Sequence, residues 1–137
     1  MVDEIDEKII EILKENARTT YVDIGKAIGL SEGTVRNRIQ SLTDSGVIKR
    51  FTVDISLGVG VRALIMISVD PQKPTLEISD KVLKLPGVEK IYEVTGEYDV
   101  VTVVSSSSIE GLNQTIEEIR VIDGIVKTNT VIVLRTV

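Results

Sequence analysis

Residues 31–50 bring together Ser31, Glu32, Gly33, Thr34, Arg36, Asn37, Arg38 and Gln40, followed closely by Lys49 and Arg50. Asn, Arg and Gln can hold base edges through paired hydrogen bonds in the major groove of DNA, whereas Ser and Thr suit phosphate oxygens and helix starts. Gly33 allows a backbone to approach a sugar-phosphate chain closely. Lys49 and Arg50 are placed to grip flanking phosphates. The chemistry on offer is recognition of a polyanion, provided that one surface carries these groups.

A helix supplies that surface. Val35, Ile39 and Leu42 recur at helical spacing and predict a helix from about 32 to 44, opened by Ser31 as N-cap and stopped by Ser45-Gly46. Burying those three leaves the polar set on the outer face and flanks. Upstream, Ile5, Ile9, Ile12 and Leu13 form one apolar stripe over 3–16, with Asp3, Glu4, Asp6 and Glu7 in the first turns where the helix dipole favours acids. A shorter helix over 21–28 is expected to turn Ile24, Ala27 and Ile28 inward and to end at Gly29. Two short helices joined by a tight glycine-containing turn, the second capped by serine, form the helix-turn-helix pattern. Three-helix units also serve as protein-interaction modules, and charge weighs against that alternative. Residues 1–15 hold two bases and six acids, whereas residues 31–50 hold four bases (Arg36, Arg38, Lys49, Arg50) and two acids (Glu32, Asp44).

That local surplus of bases sits in an acidic chain of 137 residues, with 16 bases, 21 acids and a net charge of -5. There is no cysteine and no histidine, which excludes disulfides, thiolate catalysis, zinc-finger ligands and a histidine general base. No metal or cofactor is expected. The acidic residues within 1–6 do not suit a signal peptide. The longest apolar runs, such as 100–104, are far shorter than the roughly 20 residues of a membrane helix. No membrane partner is expected, and a cytoplasmic location is.

Beyond the helices, residues 51–55 (Phe-Thr-Val-Asp-Ile) alternate as a strand does, and 56–60 supply two glycines as a hinge. The remainder reads as strand 63–69, helix 75–85, strands 88–94 and 100–104, a helix opened by a Ser107–Glu110 capping box, and strand 126–134. This βαββαβ order predicts a four-stranded antiparallel sheet with both helices on one face, the ferredoxin-like arrangement. The fold class is therefore α+β: a helix-turn-helix (winged-helix-like) domain over 1–50, a strand and hinge linker over 51–60, and a ferredoxin-like domain over 61–137. The strands offer Ile65, Ile67, Val101, Val103, Val131 and Val133, alternating with Leu64, Met66, Val100, Val104, Ile132 and Leu134. Two helices cover only one face, so a sheet apolar on both implies a second copy laid against it. A homodimer, at least, is expected.

Taken in order, these features resemble the Lrp/AsnC family, the feast/famine transcription regulators. Ile5-Asp6-Glu7-Lys8-Ile9-Ile10 is similar to the family's opening pattern. Leu30-Ser31, Val35, Arg38, Leu42 and Gly46-Val47-Ile48 resemble its recognition-helix signature, and Thr95-Gly96-Glu97-Tyr98-Asp99 its Gly-x-Tyr-Asp turn. Lys49-Arg50-Phe51 departs from the Gly-Tyr pair of many members. The resemblance implies a regulator that reads a pseudo-palindromic operator in double-stranded DNA. It also implies a homodimer that assembles to an octamer, and an amino-acid effector that changes assembly or DNA affinity. Carried over, Gly96, Glu97, Tyr98 and Asp99 form one wall of the effector site, with Asp123, Thr128 and Thr130 opposite. Glycine there admits backbone N–H groups to a carboxylate, and Asp99 accepts from an ammonium group. The plainer reading of the turn is a hairpin, and the alternative for the whole chain is an amino-acid-sensing or protein-interaction module with no DNA role.

Enzymatic readings are weak. Haem-pathway decarboxylases of similar plan rely on histidines, which are absent. Glu93, Glu97 and Asp99 could furnish a carboxylate pair, but no nucleophile sits beside a base. An RNA-binding sheet needs stacking aromatics, and the strands supply only Tyr92.

Overall fold

The computed structural model describes residues 1–55 and 59–137, and the chain divides into two compact units, Met1–Ile55 and Ser56–Val137. The hinge expected over 56–60 falls mostly on residues 56–58, outside the described residues.

The first unit is three helices: α1 (Glu4–Glu15), α2 (Tyr21–Ile28) and α3 (Glu32–Asp44). Each begins with a side-chain cap. Asp3 and Asp6 exchange hydrogen bonds in a capping box on α1, the Thr20 hydroxyl accepts from Asp23 N–H, and the Ser31 hydroxyl accepts from Thr34 N–H. Gly29 ends α2 at φ 76°, in the left-handed region. Ile9, Ile24, Val35 and Ile39 form the core, with Ile5, Ile12, Leu13, Ile28, Leu30 and Ile48 packed around them. Fully burying a side chain of this size contributes roughly 1.5–3 kcal/mol, so the three apolar stripes hold the unit together. Ala27 is a correction: it is exposed, and its expected inward place belongs to Gly25. The turn into α3 folds back so tightly that a Cβ on Gly25 would overlap the Leu30 carbonyl oxygen.

Residues 51–55 form no strand, contrary to their alternation. Phe51, Val53 and Ile55 are exposed, and no segment among the described residues pairs with them. A strand exists only as half of a ladder, so periodicity alone could not make one here.

The second unit runs β1 (Val61–Val69), α4 (Thr75–Leu83), β2 (Val88–Glu93), β3 (Val100–Ser106), α5 (Ile109–Arg120) and β4 (Ile125–Ile132). The sheet is antiparallel, in the order β2-β3-β1-β4. Ile78 and Val82 of α4, with Leu112 and Ile119 of α5, pack on Ala63, Ile65, Ile67, Val69, Val100 and Val104, so both helices lie on one face. Several element ends differ from expectation: β1 starts at Val61, α4 stops at Leu83, β2 stops at Glu93, β3 runs on to Ser106, β4 covers Ile125–Ile132, and Ser108 rather than Ser107 caps α5. With Ser108 as cap, the third helical position is Gly111, which has no side chain to return to the Ser108 N–H, so the expected box with Glu110 does not form.

Register decides the two faces. Ile65 pairs with Thr102 and Ile67 with Val100, whereas Leu64 pairs with Val103 and Met66 with Val101. The helix-covered face therefore joins odd positions of β1 to even positions of β3. The second face carries Leu64, Met66, Val101, Val103 and, opposite Leu64 on β4, the exposed Val131. No helix of its own unit covers it.

Gly25→Ala is expected to destabilise the N-terminal unit by about 1–3 kcal/mol, the usual cost of overpacking a closed site. Gly33→Ala, with open space around the added Cβ, is expected to raise stability by roughly 0.5–1 kcal/mol. Urea unfolding followed by far-ultraviolet circular dichroism reads both; equal effects would refute the close approach at Gly25.

Candidate nucleic-acid interface and effector site

The outer face of α3 is built on its cap. The hydroxyls of Ser31 and Thr34 lie 2.8 Å apart and that of Ser31 also accepts from Thr34 N–H at 3.2 Å, so Ser31 is committed to opening the helix. Glu32, Gly33, Thr34, Arg36, Asn37 and Gln40 are exposed on or beside the first three turns. Arg36 pairs with Glu32 one turn back, and its guanidinium carbon sits 5.5 Å from the centre of the Tyr21 ring. Tyr21, absent from the sequence-derived set, thus holds Arg36 from the first position of α2 by a cation–π contact. The available signal was an aromatic residue at a helix start in a chain with only three tyrosines and one phenylalanine. Asn37 makes no side-chain hydrogen bond among the described residues, leaving its amide free to pair elsewhere.

Arg38 is placed differently. Its Nη1 donates to both carboxylate oxygens of Asp3, at 2.9 and 2.7 Å, and to Asp6 Oδ1 at 3.1 Å. These contacts span 35 and 32 residues and join α3 to the start of α1. The guanidinium holds the Asp3 carboxyl below its ordinary range, helped by the Asp6 N–H, and the same two carboxylates raise the pKa of Arg38. Beyond α3, the Ile48 N–H returns to the Leu42 carbonyl at 3.0 Å, and Lys49 and Arg50 follow it, exposed and without an ion pair among the described residues. The structure therefore brings Ser31, Glu32, Gly33, Thr34, Arg36 and Asn37 onto the first turns of α3. It turns Arg38 towards α1, and places Lys49 and Arg50 on the segment after the helix.

In the second unit, residues 95–99 link β2 to β3. The Val94 N–H donates to the Asp99 carbonyl, the Asp99 N–H donates to the Ile67 carbonyl, and the Asp99 carboxylate accepts from Val69 N–H at 2.7 Å. That last bond lies beside the register shift between Ser68 and Val69 and satisfies a backbone donor at the end of β1. Gly96 has φ 116° and nothing within 4 Å of where a Cβ would be. Glu97 faces Lys127 on β4 at 3.5 Å, and the Lys127 ammonium lies 5.5 Å from the centre of the Tyr98 ring. Gly96, Glu97, Tyr98 and Asp99 thus share one turn at the end of β1.

The three opposing candidates do not gather there. Asp123 lies on the α5–β4 turn, exposed and paired with Lys73 at 3.1 Å, and it raises the pKa of that lysine. Thr128 and Thr130 pair with Ile67 and Ile65, so they share the helix-covered face at the edge strand. Lys127, which the sequence-derived set omits, is the residue of β4 that meets the turn. It also lines a groove of about 340 Å³ with Arg120, Ile125, Val126 and Thr128. A lone cation in the last strand was its only signal. Among the described residues no group of acids could hold a metal ion, and no helix is long and apolar enough to cross a membrane.

Known proteins share this plan along the whole chain. Residues 2–49 match a family described as winged helix-turn-helix DNA-binding, and residues 62–137 match one described as the Lrp/AsnC ligand binding domain. The HTH-type transcriptional regulator LysM of Sulfurisphaera tokodaii is 52% identical over 134 residues, covering 98% of this chain and 96% of that protein. The structure of Escherichia coli AsnC superposes with a TM-score of 0.81 at 33% identity, covering 99% of this chain and 94% of that one. A feast or famine regulatory protein from Mycobacterium tuberculosis, complexed with L-methionine, superposes with a TM-score of 0.88 at 26% identity, covering 99% and 94%.

The lowered pKa of Asp3 ties stability to pH with a definite sign. Its contribution is complete above the ordinary carboxyl value of 3.8 and is lost as pH falls through the lower folded value. The N-terminal unit is therefore expected to weaken below about pH 4, and Asp3→Asn to flatten that part of the dependence. Urea midpoints between pH 2.5 and 6 check this; an unchanged slope in the variant would contradict the pairing with Arg38.

Proposed function

We propose, from the premise that the chain belongs to the Lrp/AsnC family, how its two units divide the work of a transcriptional regulator with a helix-turn-helix DNA-binding part and a ligand-binding domain. Residues 1–50 bind DNA in a sequence-specific way, 51–60 link, and 61–137 bind an effector and self-associate. The observation that carries the DNA reading is the outer face of α3, where Gly33, Thr34, Arg36 and Asn37 stand exposed on a capped helix. Thr34 and the backbone at Gly33 meet the sugar-phosphate chain, Arg36 and Asn37 reach base edges, and Lys49 and Arg50 grip flanking phosphates.

Two copies present two such helices. The uncovered apolar face of Leu64, Met66, Val101, Val103 and Val131 supports a homodimer built sheet to sheet. Two-fold symmetry then matches a pseudo-palindromic operator, with half-sites one helical turn or a multiple apart. The dimers assemble further, to an octamer, and an amino acid biases assembly or DNA affinity. Its site is the turn carrying Gly96, Glu97, Tyr98 and Asp99. Support comes from the open backbone at Gly96 and from opposite charges on Glu97 and Lys127 beside one aromatic ring. That pair complements the ammonium and carboxylate of a free amino acid. The relative complexed with L-methionine shows that a protein of this fold takes such a ligand.

The DNA reading is tested by fluorescence anisotropy across a salt series. The wild type is expected to lose affinity linearly in logarithmic salt, and Lys49→Ala to lower the slope by about one unit, as the loss of one phosphate contact should. Salt-independent or absent binding would favour a sensing module with no DNA role. The effector reading is tested by calorimetric titration of the twenty amino acids, with sedimentation of free and liganded protein. At least one amino acid is expected to bind, and Glu97→Gln to weaken it about tenfold or more, the scale of a lost charge-assisted hydrogen bond. A single 15 kDa species at micromolar concentration would refute the dimer.

A further inference from the structure

The polar set around α3 contains one residue whose contacts point away from the face that would meet DNA. Arg38 holds three hydrogen bonds, all to carboxylates of α1. Its side chain retains 30% exposure, while that of Asp6 retains 12%. Every other ion pair among the described residues of the first unit lies within one helix, at a spacing of three or four residues. Among the described residues of this unit, Arg38 makes the one ion pair that joins two helices. Its partners are themselves fixed, because Asp3 and Asp6 exchange hydrogen bonds with each other's backbone at 2.8 and 3.2 Å.

We propose that Arg38 is a positioning residue: clamped to the capping box of α1, it sets the rotation at which α3 presents Arg36 and Asn37 to DNA, and so governs sequence preference without touching the nucleic acid. The proposal rests on the DNA-binding reading above. The lever arm makes it physical. A 20° rotation of a helix about its axis moves a side-chain tip some 5–6 Å from that axis by roughly 2 Å. Hydrogen bonds to base edges hold over only a few tenths of an ångström. Packing of Val35 and Ile39 fixes how closely α3 approaches the core, and the Arg38 hydrogen bonds add a direction to that contact, because a guanidinium donates along fixed N–H vectors. Neighbouring Arg36 and Asn37 would inherit any slip.

The two roles open to Arg38 predict opposite results for a change made elsewhere. Asp6→Asn removes an acid from the unit. If Arg38 were a phosphate contact, freeing it from Asp6 would tighten binding to every duplex. If Arg38 positions the helix, the same change loosens the clamp and lowers discrimination. The experiment uses the full chain, one duplex that the wild type enriches from a random pool, and the unselected pool itself, over a salt series. Asp6→Asn and Arg38→Gln are each expected to lower the ratio of selected to unselected affinity about tenfold, the size of one lost base contact. Affinity for the unselected pool and its salt slope should stay unchanged.

A contact that merely stabilised the fold would lower both affinities together and leave the ratio intact. That outcome, or a fall of about one unit in the Arg38→Gln salt slope with the ratio kept, overturns the proposal. If Arg38→Gln fails to fold because Asp6 is left unpaired, Asp3→Asn at the exposed end of the clamp supplies the same ratio, and a preserved ratio there is equally fatal. A wild type that binds neither duplex overturns the DNA reading and takes this proposal with it, which separates the two failures.

Discussion

The N-terminal unit depends on how closely α2 can approach the turn that follows it. Gly25 lies against the Leu30 carbonyl, and both Gly29 and Leu30 donate their N–H groups to the Gly25 carbonyl. One residue without a side chain thus lets the backbone reverse within three positions. Gly29 supplies the left-handed conformation and Ser31 the cap that starts the next helix. The angle between α2 and α3 follows from this contact, and with it the placement of Tyr21 beside Arg36. A larger residue at position 25 would push α3 outwards and separate the ring from the guanidinium, although neither group touches the turn.

Charge in this unit is arranged by destination rather than by total. Of the two arginines on α3, Arg36 is held at the outer face by Tyr21 and Glu32, and Arg38 is held inward by Asp3 and Asp6. The acids at the start of α1 that make the chain look ill-suited to DNA are partly the anchors of α3. Removing acids from α1 would therefore not simply produce a better DNA-binding surface. It would release Arg38 and loosen the tie between α1 and α3.

How much of this was legible in the sequence divides along a physical line. Helices α1 to α3, the Ser31 cap, the Gly29 stop and the order of elements in the second unit followed from period and punctuation, because those signals act between residues a few positions apart. Contacts across the chain were hidden. The pairing of Arg38 with Asp3 crosses 35 residues, and nothing in the local pattern of either segment marks it. Ala27 and Gly25 exchanged roles because helical spacing allows either to face inward, and only the approach of Leu30 selects glycine. Residues 51–55 alternate as a strand should, yet alternation supplies the faces of a strand and not its partner. The sheet shows the same limit. Each strand's alternation was plain, but which residues of β1 and β3 share a face depends on register, and register placed Ile65 with Thr102 rather than with Val101.

The turn between β2 and β3 shows why a recognised motif does not settle a residue's role. Glycine and aspartate recur in such turns for structural reasons, and Asp99 does serve structure here, since its carboxylate holds Val69 N–H where the β1–β4 ladder slips by one position. An oxygen so engaged is less free to accept from a ligand. Glu97 is engaged only with Lys127 on the surface, where such pairs exchange readily with other charges. The pair offers one charge of each sign, which is the complementarity that the proposed effector site requires. Lys127 bridges β4 to the β2–β3 turn through Glu97 and Tyr98. Among the described residues β4 is an edge strand of the sheet, so this bridge lies at a border of the unit. Asp99 thus anchors the turn to β1 through a backbone donor, while Glu97 is held only by a surface pair, so one carboxylate of the turn is fixed and the other exchangeable.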